Sequence, residues 1–409
     1  MKRTSTQCEL WRRFLYWFIV RVYFERITVL NPDRLPKAGP VLFLGLHRNG
    51  AVDGFVYHHT LRRPTFMIST QLRRNILARL FFTGIAVTRT KDEGDRVDNE
   101  GALEECLGNL RDRGSLFVFP EGTSSLGPRH LPFKSGGIWL ILEYLKQSGP
   151  PLVVIPVGIH YECPWAFRAK VEVVLGRPLD LTLPAGASDL AKLKELKRRA
   201  QAGLEEVGVN VISDEYQQKI QHLAYVATLA TPRSYFASIK ALEHQIPEAV
   251  LQEGARLESD LKGRRLLLHQ GVPLVPMGSA LIYTFALVVL GPVVAAAVIL
   301  NAPPLLAGRL AGRKFPDDIN VISLWKILVG IPCFFVWIVL VAAFCICSGK
   351  LFWLLVYATV TWAGLHLYYR GEKLFVAVHN GLRYSKLKQP MLRFRETVIR
   401  SLPQDTFDR

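Results

Sequence analysis

Short apolar runs alternate with helical stretches through the first half of the chain. Four runs have the length of strands, and the first three are mainly apolar, without the apolar–polar alternation of a sheet with one wet face. These runs span residues 41–46, 115–119, 152–159 and 170–175. Residues 99–111 and 138–146 have helical spacing. Elements in this order predict an α/β fold, with a mixed, mainly parallel sheet flanked by helices.

Three much longer apolar stretches follow in the second half. They span residues 279–300, 327–347 and 351–369. Each is about long enough to cross the hydrocarbon core of a bilayer. Only Ser348, Gly349 and Lys350 separate the last two, which predicts a tight transmembrane hairpin. The first carries Gly291-Pro292 at its centre, which favours a kinked or re-entrant segment.

The N-terminal segment mixes aromatic residues with arginines. Its apolar core is too short for a signal peptide and no small-residue cleavage site follows it. The pattern predicts a helix in the headgroup layer of a membrane. The alternative is an ordinary helix that packs its aromatic residues on the domain.

These patterns divide the chain into five parts. They are an interfacial helix at 1–30, a catalytic domain at 31–185, a polar helical connector at 186–275, membrane segments at 276–372 and a basic cytoplasmic tail at 373–409.

The charge balance indicates a negatively charged partner. Lys and Arg number 51 against 34 Asp and Glu, a formal net charge of +17. Because long apolar runs accompany this excess, we expect membrane lipids rather than nucleic acid as the partner. Arg309, Arg313 and Lys314 precede the hairpin and more basic residues follow it. The positive-inside tendency then favours two crossings, a re-entrant first segment and a cytoplasmic catalytic domain.

The six cysteines do not suggest a metal or a disulfide framework. None forms a C-x-x-C pair and no zinc spacing occurs, so we expect a reducing compartment and no metal site.

A histidine and an aspartate follow the first predicted strand. His47 and Asp53 lie in the segment HRNGAVD, where the chain leaves the strand for a helix. A neutral imidazole can take the proton of an attacking alcohol, and a carboxylate can fix its tautomer. By itself the spacing is weak evidence, and a polar strand-end cap is the alternative.

A glycine-rich loop follows the second predicted strand. It reads FPEGTS, with Glu121, Gly122 and Thr123 at its centre, and LPFKSG with Lys134 comes soon after. Exposed loop amides together with Lys134 can hold a phosphate. Glu121 is unusual in an apolar setting, and a carboxylate at a helix N-terminus is its alternative role.

Two further segments complete the pattern. Arg89 ends the block GIAVTR and suits a two-pronged contact with phosphate. The run VIPV at 154–157 is an interrupted buried strand. His160 is a weaker acid–base candidate, and His58 and His59 lack partners for a ligand set.

Taken together and in this order, the four segments resemble the phospholipid/glycerol acyltransferases, the family of bacterial PlsC. The resemblance covers roughly residues 41–178, and FPEGTS with LPFKSG is its most specific part. It implies acyl-CoA or acyl-carrier protein as donor and no further cofactor. It implies His47 as general base and Asp53 as its orienting partner. It also implies that Arg89, Glu121, Gly122 and the adjoining Thr123 contact the acceptor.

One departure concerns the acceptor. Most of the family has four residues between His and Asp, whereas five separate His47 from Asp53. A branch that acylates glycerol-3-phosphate or dihydroxyacetone phosphate also has five. The resemblance implies acyl transfer to lysophosphatidate in phospholipid biosynthesis, in a bacterial inner membrane or the endoplasmic reticulum, and the five-residue spacing makes glycerol-3-phosphate the rival acceptor. A non-catalytic lipid-binding scaffold is the alternative from another class.

Overall fold

The structure is a computed structural model that describes residues 3–70, 81–88, 99–147, 149–229 and 231–403. Its main sheet has seven strands in the order β1-β7-β6-β2-β5-β3-β4. The strands are β1 (Phe24–Leu30), β2 (Val41–Gly45), β3 (Thr65–Ser69), β4 (Ile85–Val87), β5 (Ser115–Val118), β6 (Val153–Tyr161) and β7 (Ala169–Leu175). Among the described strands of this main sheet, only β6 and β7 pair antiparallel. The predicted mixed, mainly parallel sheet is confirmed.

Three strands were not predicted from the sequence. β1 is an edge strand with mostly half-buried residues, and it pairs only with β7. β3 and β4 are short and lie at the opposite edge. Edge strands bury less surface, so their apolar signal is weaker than that of the central strands.

Successive side chains of the central strands point to opposite faces and fill two separate cores. On one face, Phe43, Phe117 and Ile155 pack with α1 (Arg3–Tyr23) and α2 (Val52–Thr60). The other face packs against three helices, α3 (Glu100–Arg111), α4 (Gly136–Leu145) and α5 (Asp189–Val207). Because both faces are covered, these strands are apolar throughout.

The N-terminal helix ends earlier than expected. Helix α1 stops at Tyr23 and the chain continues directly into β1, so the helix does not extend to residue 30. Its buried side, including Tyr16 and Ile19, belongs to the sheet core. Trp11 and Trp17 are about half exposed on the other side. The helix therefore combines domain packing with an exposed aromatic face.

The connector and the C-terminal segment form one helical unit. Three connector helices are α6 (Asp214–Thr228), α7 (Tyr235–Ala241) and α8 (Glu248–Leu261). They share a core with the end of α12 (Leu351–Arg383) and with α13 (Lys388–Ser401). The predicted boundary at 373 falls inside α12, because the buried residues Val376 and Ala377 continue its packing.

Three helices are long and apolar enough to cross a membrane among the described residues: α9 (Ala280–Leu300), Ile319–Cys347, which contains α11 (Ile322–Cys347), and α12. Helix α9 packs antiparallel along α12, and α10 (Ala302–Lys314) packs antiparallel along α11. Small residues at the contacts allow both pairs of helices to pack closely. A Cβ on Gly364 would lie 2.1 Å from Cβ of Ala297, so only glycine fits there.

The first long apolar helix, α9, does not carry the chain across to the side of the bundle that faces away from the sheet domain. After Asn301 the chain reverses, and α10 runs back along α11 towards the sheet domain. At the start of α9, the carbonyl of Gly278 accepts a hydrogen bond from Lys388. Near the end of α10, Gly312 contacts Lys326, whose ammonium group donates to the carbonyl of Trp165. The α9–α10 pair thus begins and ends on the side of the bundle that faces the sheet domain.

Candidate active site

His47 and Asp53 meet at the end of β2. His47 follows the strand by two residues, and Asp53 lies in the first turn of α2. Ring atom Nδ1 of His47 lies 3.0 Å from Oδ2 of Asp53. Because the strand ends where the helix begins, the intervening loop brings both side chains together. The predicted pair is in contact.

Asp53 is fully buried, and its carboxylate is surrounded by donors. Oδ2 accepts hydrogen bonds from the backbone N–H groups of Arg48 at 2.6 Å and Asn49 at 2.9 Å. Oδ1 accepts a hydrogen bond from the hydroxyl of Tyr161 at 2.6 Å. These donors compensate the buried charge, which would otherwise be costly. The carboxylate is therefore held as a fixed acceptor for His47.

The ring of His47 is oriented but accessible. It stacks on Phe119 with ring centroids 4.0 Å apart, and 15% of its side chain stays exposed. Within the described parts of the chain, Nε2 of His47 has no hydrogen-bond partner. With Nδ1 directed to Asp53, Nε2 is the nitrogen left to take a proton from a substrate.

Glu121 contacts the backbone rather than an open cavity. Oε1 accepts from the N–H of His47 at 2.9 Å, and Oε2 accepts from the N–H of Leu131 at 2.9 Å. The residue is only 2% exposed, and burial raises the pKa of its carboxyl group. Each carboxylate oxygen thus has one backbone donor, and a contact between Glu121 and the acceptor stays a prediction. The side chain ties the FPEGTS loop to His47.

Gly122 and Lys134 form the exposed edge of the same loop. Gly122 has φ of +71°, a conformation that favours glycine, and a Cβ there would lie 2.9 Å from Nζ of Lys134. Lys134 and Thr123 are exposed, and Lys134 lies close before helix α4. The structure thus brings Lys134 against Gly122, in the loop that Glu121 ties to the backbone of His47. Arg89 lies outside the described residues.

Sequence reasoning missed two side chains behind the site. Tyr161 lies in β6, whose parallel pairing with β2 places it behind Asp53. The buried guanidinium of Arg48 donates to the carbonyl of Gly127 at 2.7 Å and lies near both Asp53 and Glu121. Burial lowers the pKa of Arg48, while the two carboxylates oppose that change. Arg48 stands next to His47 in the sequence, but nothing there marks it as buried.

The other histidines of the domain have packing roles. Nε2 of His160 lies 2.9 Å from the carbonyl of Val207, and the ring packs on Phe236. Burial lowers the pKa of His160 to about 3. His58 packs edge-on against Tyr16. The second acid–base candidate, His160, therefore does not face His47, and no cluster of metal-ligating side chains occurs among the described residues.

The apolar bundle contacts the site directly. Asn320, just before α11, donates from its side-chain amide to the carbonyl and hydroxyl oxygens of Ser124, at 2.8 and 3.0 Å. The carbonyl of Asn320 also lies 3.0 Å from the position of a Cβ on Gly50. The turn that contains Asn320 thus packs against both the loop that carries His47 and the FPEGTS loop.

Comparison with known proteins identifies the domain. Residues 26–160 match the Acyltransferase family, which is about a third of the chain. An uncharacterized acyltransferase of Schizosaccharomyces pombe is 30% identical over 110 residues, covering 27% of this chain and 16% of the relative. Glycerol-3-phosphate O-acyltransferase 2 of Saccharomyces cerevisiae is 28% identical over 86 residues, covering 21% of this chain and 12% of the relative.

The matches to these curated relatives span less than a fifth of their length. The crystal structure of PlsC, the 1-acyl-sn-glycerophosphate acyltransferase of Thermotoga maritima, is 19% identical with a TM-score of 0.35, covering 50% of this chain and 83% of that one.

Proposed function

We propose that this protein transfers a fatty acyl group from a thioester donor to a hydroxyl of a glycerol-phosphate acceptor at a membrane. The observation that carries the proposal is the contact between His47 and Asp53, with Nε2 of His47 left without a partner in the described chain. This arrangement suits a general base, and it lies in a domain of the Acyltransferase family.

His47 acts on the acceptor hydroxyl. Nε2 takes the proton as the alcohol oxygen attacks the carbonyl carbon of the thioester, and the new C–O bond forms. Asp53 accepts the hydrogen bond of Nδ1 and stabilises the imidazolium. The C–S bond then breaks, and the imidazolium returns the proton to the departing thiolate. The products are an ester and a free thiol.

Basic residues at the exposed edge hold the acceptor's phosphate. Lys134 lies over Gly122, close to the start of α4, where the backbone N–H groups also favour an anion. We assign Lys134, Thr123 and the backbone at Gly122 to this contact, together with Arg89. Glu121 supports the loop from behind, where its charge is bound to backbone N–H groups.

Two acceptors share this chemistry, and two observations favour glycerol-3-phosphate over lysophosphatidate. Five residues separate His47 from Asp53, as in the branch that uses glycerol-3-phosphate. One relative is named as a glycerol-3-phosphate acyltransferase. Lysophosphatidate, the first expectation from the sequence, becomes the second candidate. The donor is acyl-CoA or acyl-carrier protein, and the proposed reaction needs no further cofactor.

We also propose that the apolar bundle anchors the enzyme in a membrane, with the catalytic domain on the cytoplasmic face. Helices α11 and α12 would cross the bilayer, and the α9–α10 pair would enter and return on the same side. Labelling of single-cysteine variants in intact cells tests this arrangement. We expect Ser348→Cys to react from outside and Arg400→Cys only after permeabilisation, whereas the reverse pattern would contradict it.

An acceptor panel tests the proposed reaction. Purified protein in detergent receives one acyl-CoA and either glycerol-3-phosphate, dihydroxyacetone phosphate, lysophosphatidate or glycerol, and free thiol is measured. We expect thiol release with a phosphorylated acceptor and little with glycerol. A parallel series with acyl-carrier protein compares the donors. Absence of acceptor-dependent thiol release from either donor would favour the lipid-binding scaffold instead.

A further inference from the structure

A cavity lies among residues 219–395, which come well after His47 in the chain. It has a volume of about 540 Å³, within the range of sites that hold small molecules. Its walls come from helices α6, α8, α9, α12 and α13 and from the segment 272–277, and no residue of the sheet domain is among its lining residues. The cavity therefore belongs to the unit formed by the connector and the C-terminal helices.

The walls are mainly apolar. Leu223, Val226, Leu257, Leu261, Leu274 and Phe394 are among the lining side chains. Filling an apolar space of this size with a hydrocarbon group is favourable. The size and the apolar lining of the cavity therefore suit an alkyl chain.

Four cations line the same cavity: Lys219, Arg370, Lys373 and Arg395. No Asp or Glu is among the lining residues. In the described chain none of the four forms an ion pair. Arg395 contacts the sulfur of Met277, and its buried Nε has no partner among the described residues. A cavity with this lining complements a ligand that is both apolar and negatively charged.

The neighbouring helix surface suggests where the ligand comes from. Tyr283 and Leu290 of α9 line the cavity, while Leu281, Ile282 and Phe285 of the same helix are largely exposed. On a helix suited to a bilayer, such an exposed face contacts acyl chains. The cavity thus adjoins the surface along which lipids would lie.

We propose that this cavity binds an anionic phospholipid, with one acyl chain in the apolar part and the phosphate at Lys373, Arg395 and the two exposed cations. Arginine and lysine both bind phosphate, arginine through paired hydrogen bonds. The site is separate from the one that carries the proposed reaction. Lipid binding here therefore does not depend on His47, and the two proposals fail independently.

Equilibrium binding to the full-length protein tests the proposal. Labelled phosphatidylglycerol and phosphatidylcholine with identical acyl chains are titrated into the protein in neutral detergent. We expect tighter binding of phosphatidylglycerol, and a loss of roughly fivefold in affinity for Lys373→Gln and again for Arg395→Gln. His47→Ala should bind like the wild type. Equal affinity for the two lipids would overturn the proposal.

Two nearby basic residues supply the matched control. Arg383 and Lys386 carry the same charge at the end of α12 and just after it, but neither lines the cavity. We expect Arg383→Gln with Lys386→Gln to keep the wild-type affinity within about twofold. If this control loses as much affinity as the cavity variants, binding reflects general surface charge and the proposal is wrong.

Crosslinking of the unaltered protein gives an independent test. A phosphatidylglycerol with a photoreactive acyl chain should label peptides around Leu257, Leu261 and Phe394, and unlabelled phosphatidylglycerol should compete better than phosphatidylcholine. Labelling confined to the exposed faces of α9, α11 and α12 would contradict a bound acyl chain in the cavity.

Discussion

Tyr161 and Asp53 lie far apart in the sequence, and the Tyr161 hydroxyl donates a hydrogen bond of 2.6 Å to Oδ1 of Asp53. His47 contacts the other oxygen of the same carboxylate. A single buried carboxylate thus joins the proposed base to the strand behind it. This relationship makes Tyr161 a positioning residue for His47, acting through Asp53.

Replacing Tyr161 with phenylalanine tests this role. Tyr161→Phe removes one donor to a buried carboxylate and leaves the ring. Because such a bond is worth about 1.5–3 kcal/mol, we expect kcat to fall by roughly 10- to 100-fold. The KM values for donor and acceptor should change little. Tyr216→Phe, which removes a hydroxyl that binds the carbonyl of Leu242 in the connector, is the control. A change in KM with unaltered kcat would contradict the assignment.

Gly122→Ala should disturb the acceptor site. The new methyl group would lie 2.9 Å from Nζ of Lys134, in a backbone conformation that costs a non-glycine residue about 1–2 kcal/mol. We expect a higher KM for the acceptor, by roughly 5- to 30-fold, with the donor KM unchanged. Gly101→Ala is the matched control, because a Cβ there meets nothing within 4 Å. An unaltered acceptor KM in Gly122→Ala would argue against a substrate contact at this loop.

Asn320→Asp should weaken the link between the apolar bundle and the site. The variant keeps the size of the side chain but loses the N–H groups that bind Ser124. It also places a carboxylate against a carbonyl oxygen, so we expect activity to fall by about tenfold. Asp317→Asn, on the exposed surface nearby, should leave activity unchanged. Wild-type rates in both variants would show that this contact does not position the loop.

His160 should make the protein less stable in mild acid. Burial lowers the pKa of His160 from 6.5 to about 3. The unfolded chain therefore binds a proton as the pH falls below about 6.5, whereas the folded protein resists until about 3. The stability that the neutral His160 ring contributes is fully present above about pH 6.5, and it is lost as the pH falls from there to about 3.

Thermal unfolding in detergent measures this effect. The decrease in Tm between about pH 7 and about pH 5 should be smaller for His160→Phe than for the wild type, because the variant binds one fewer proton on unfolding. One such proton changes the free energy of unfolding by up to about 1.4 kcal/mol per pH unit. His244→Phe is the control, since the side chain of His244 is 90% exposed. Equal pH dependence of the wild type and His160→Phe would refute this interpretation.

The sequence predicted the centre of the fold better than its edges. The apolar runs at β2, β5, β6 and β7 marked buried strands, and the fold class followed from their order. The strands at the two ends of the sheet were missed: β1 and β3 bury less and carry polar residues, whereas β4 has only three residues. The tertiary position of α13, which packs on the connector, has no signal in its own composition.

Within the site, local motifs were more informative than long-range contacts. The His47–Asp53 contact follows from a short loop between a strand and a helix. Tyr161 and Asn320 come from distant segments, so their approach depends on strand pairing and helix packing that spacing does not encode. The FPEGTS motif marked the loop that carries Glu121, whereas the binding of Glu121 to two backbone N–H groups is visible only in the folded chain.

The most direct measurement compares thiol release from acyl-CoA by the wild type, His47→Ala and His244→Ala with the preferred acceptor. We predict that His47→Ala loses about 10²–10⁴-fold in rate while it still associates with membranes, and that His244→Ala retains the wild-type rate. Near-normal turnover by His47→Ala would contradict the assignment of His47 as the base.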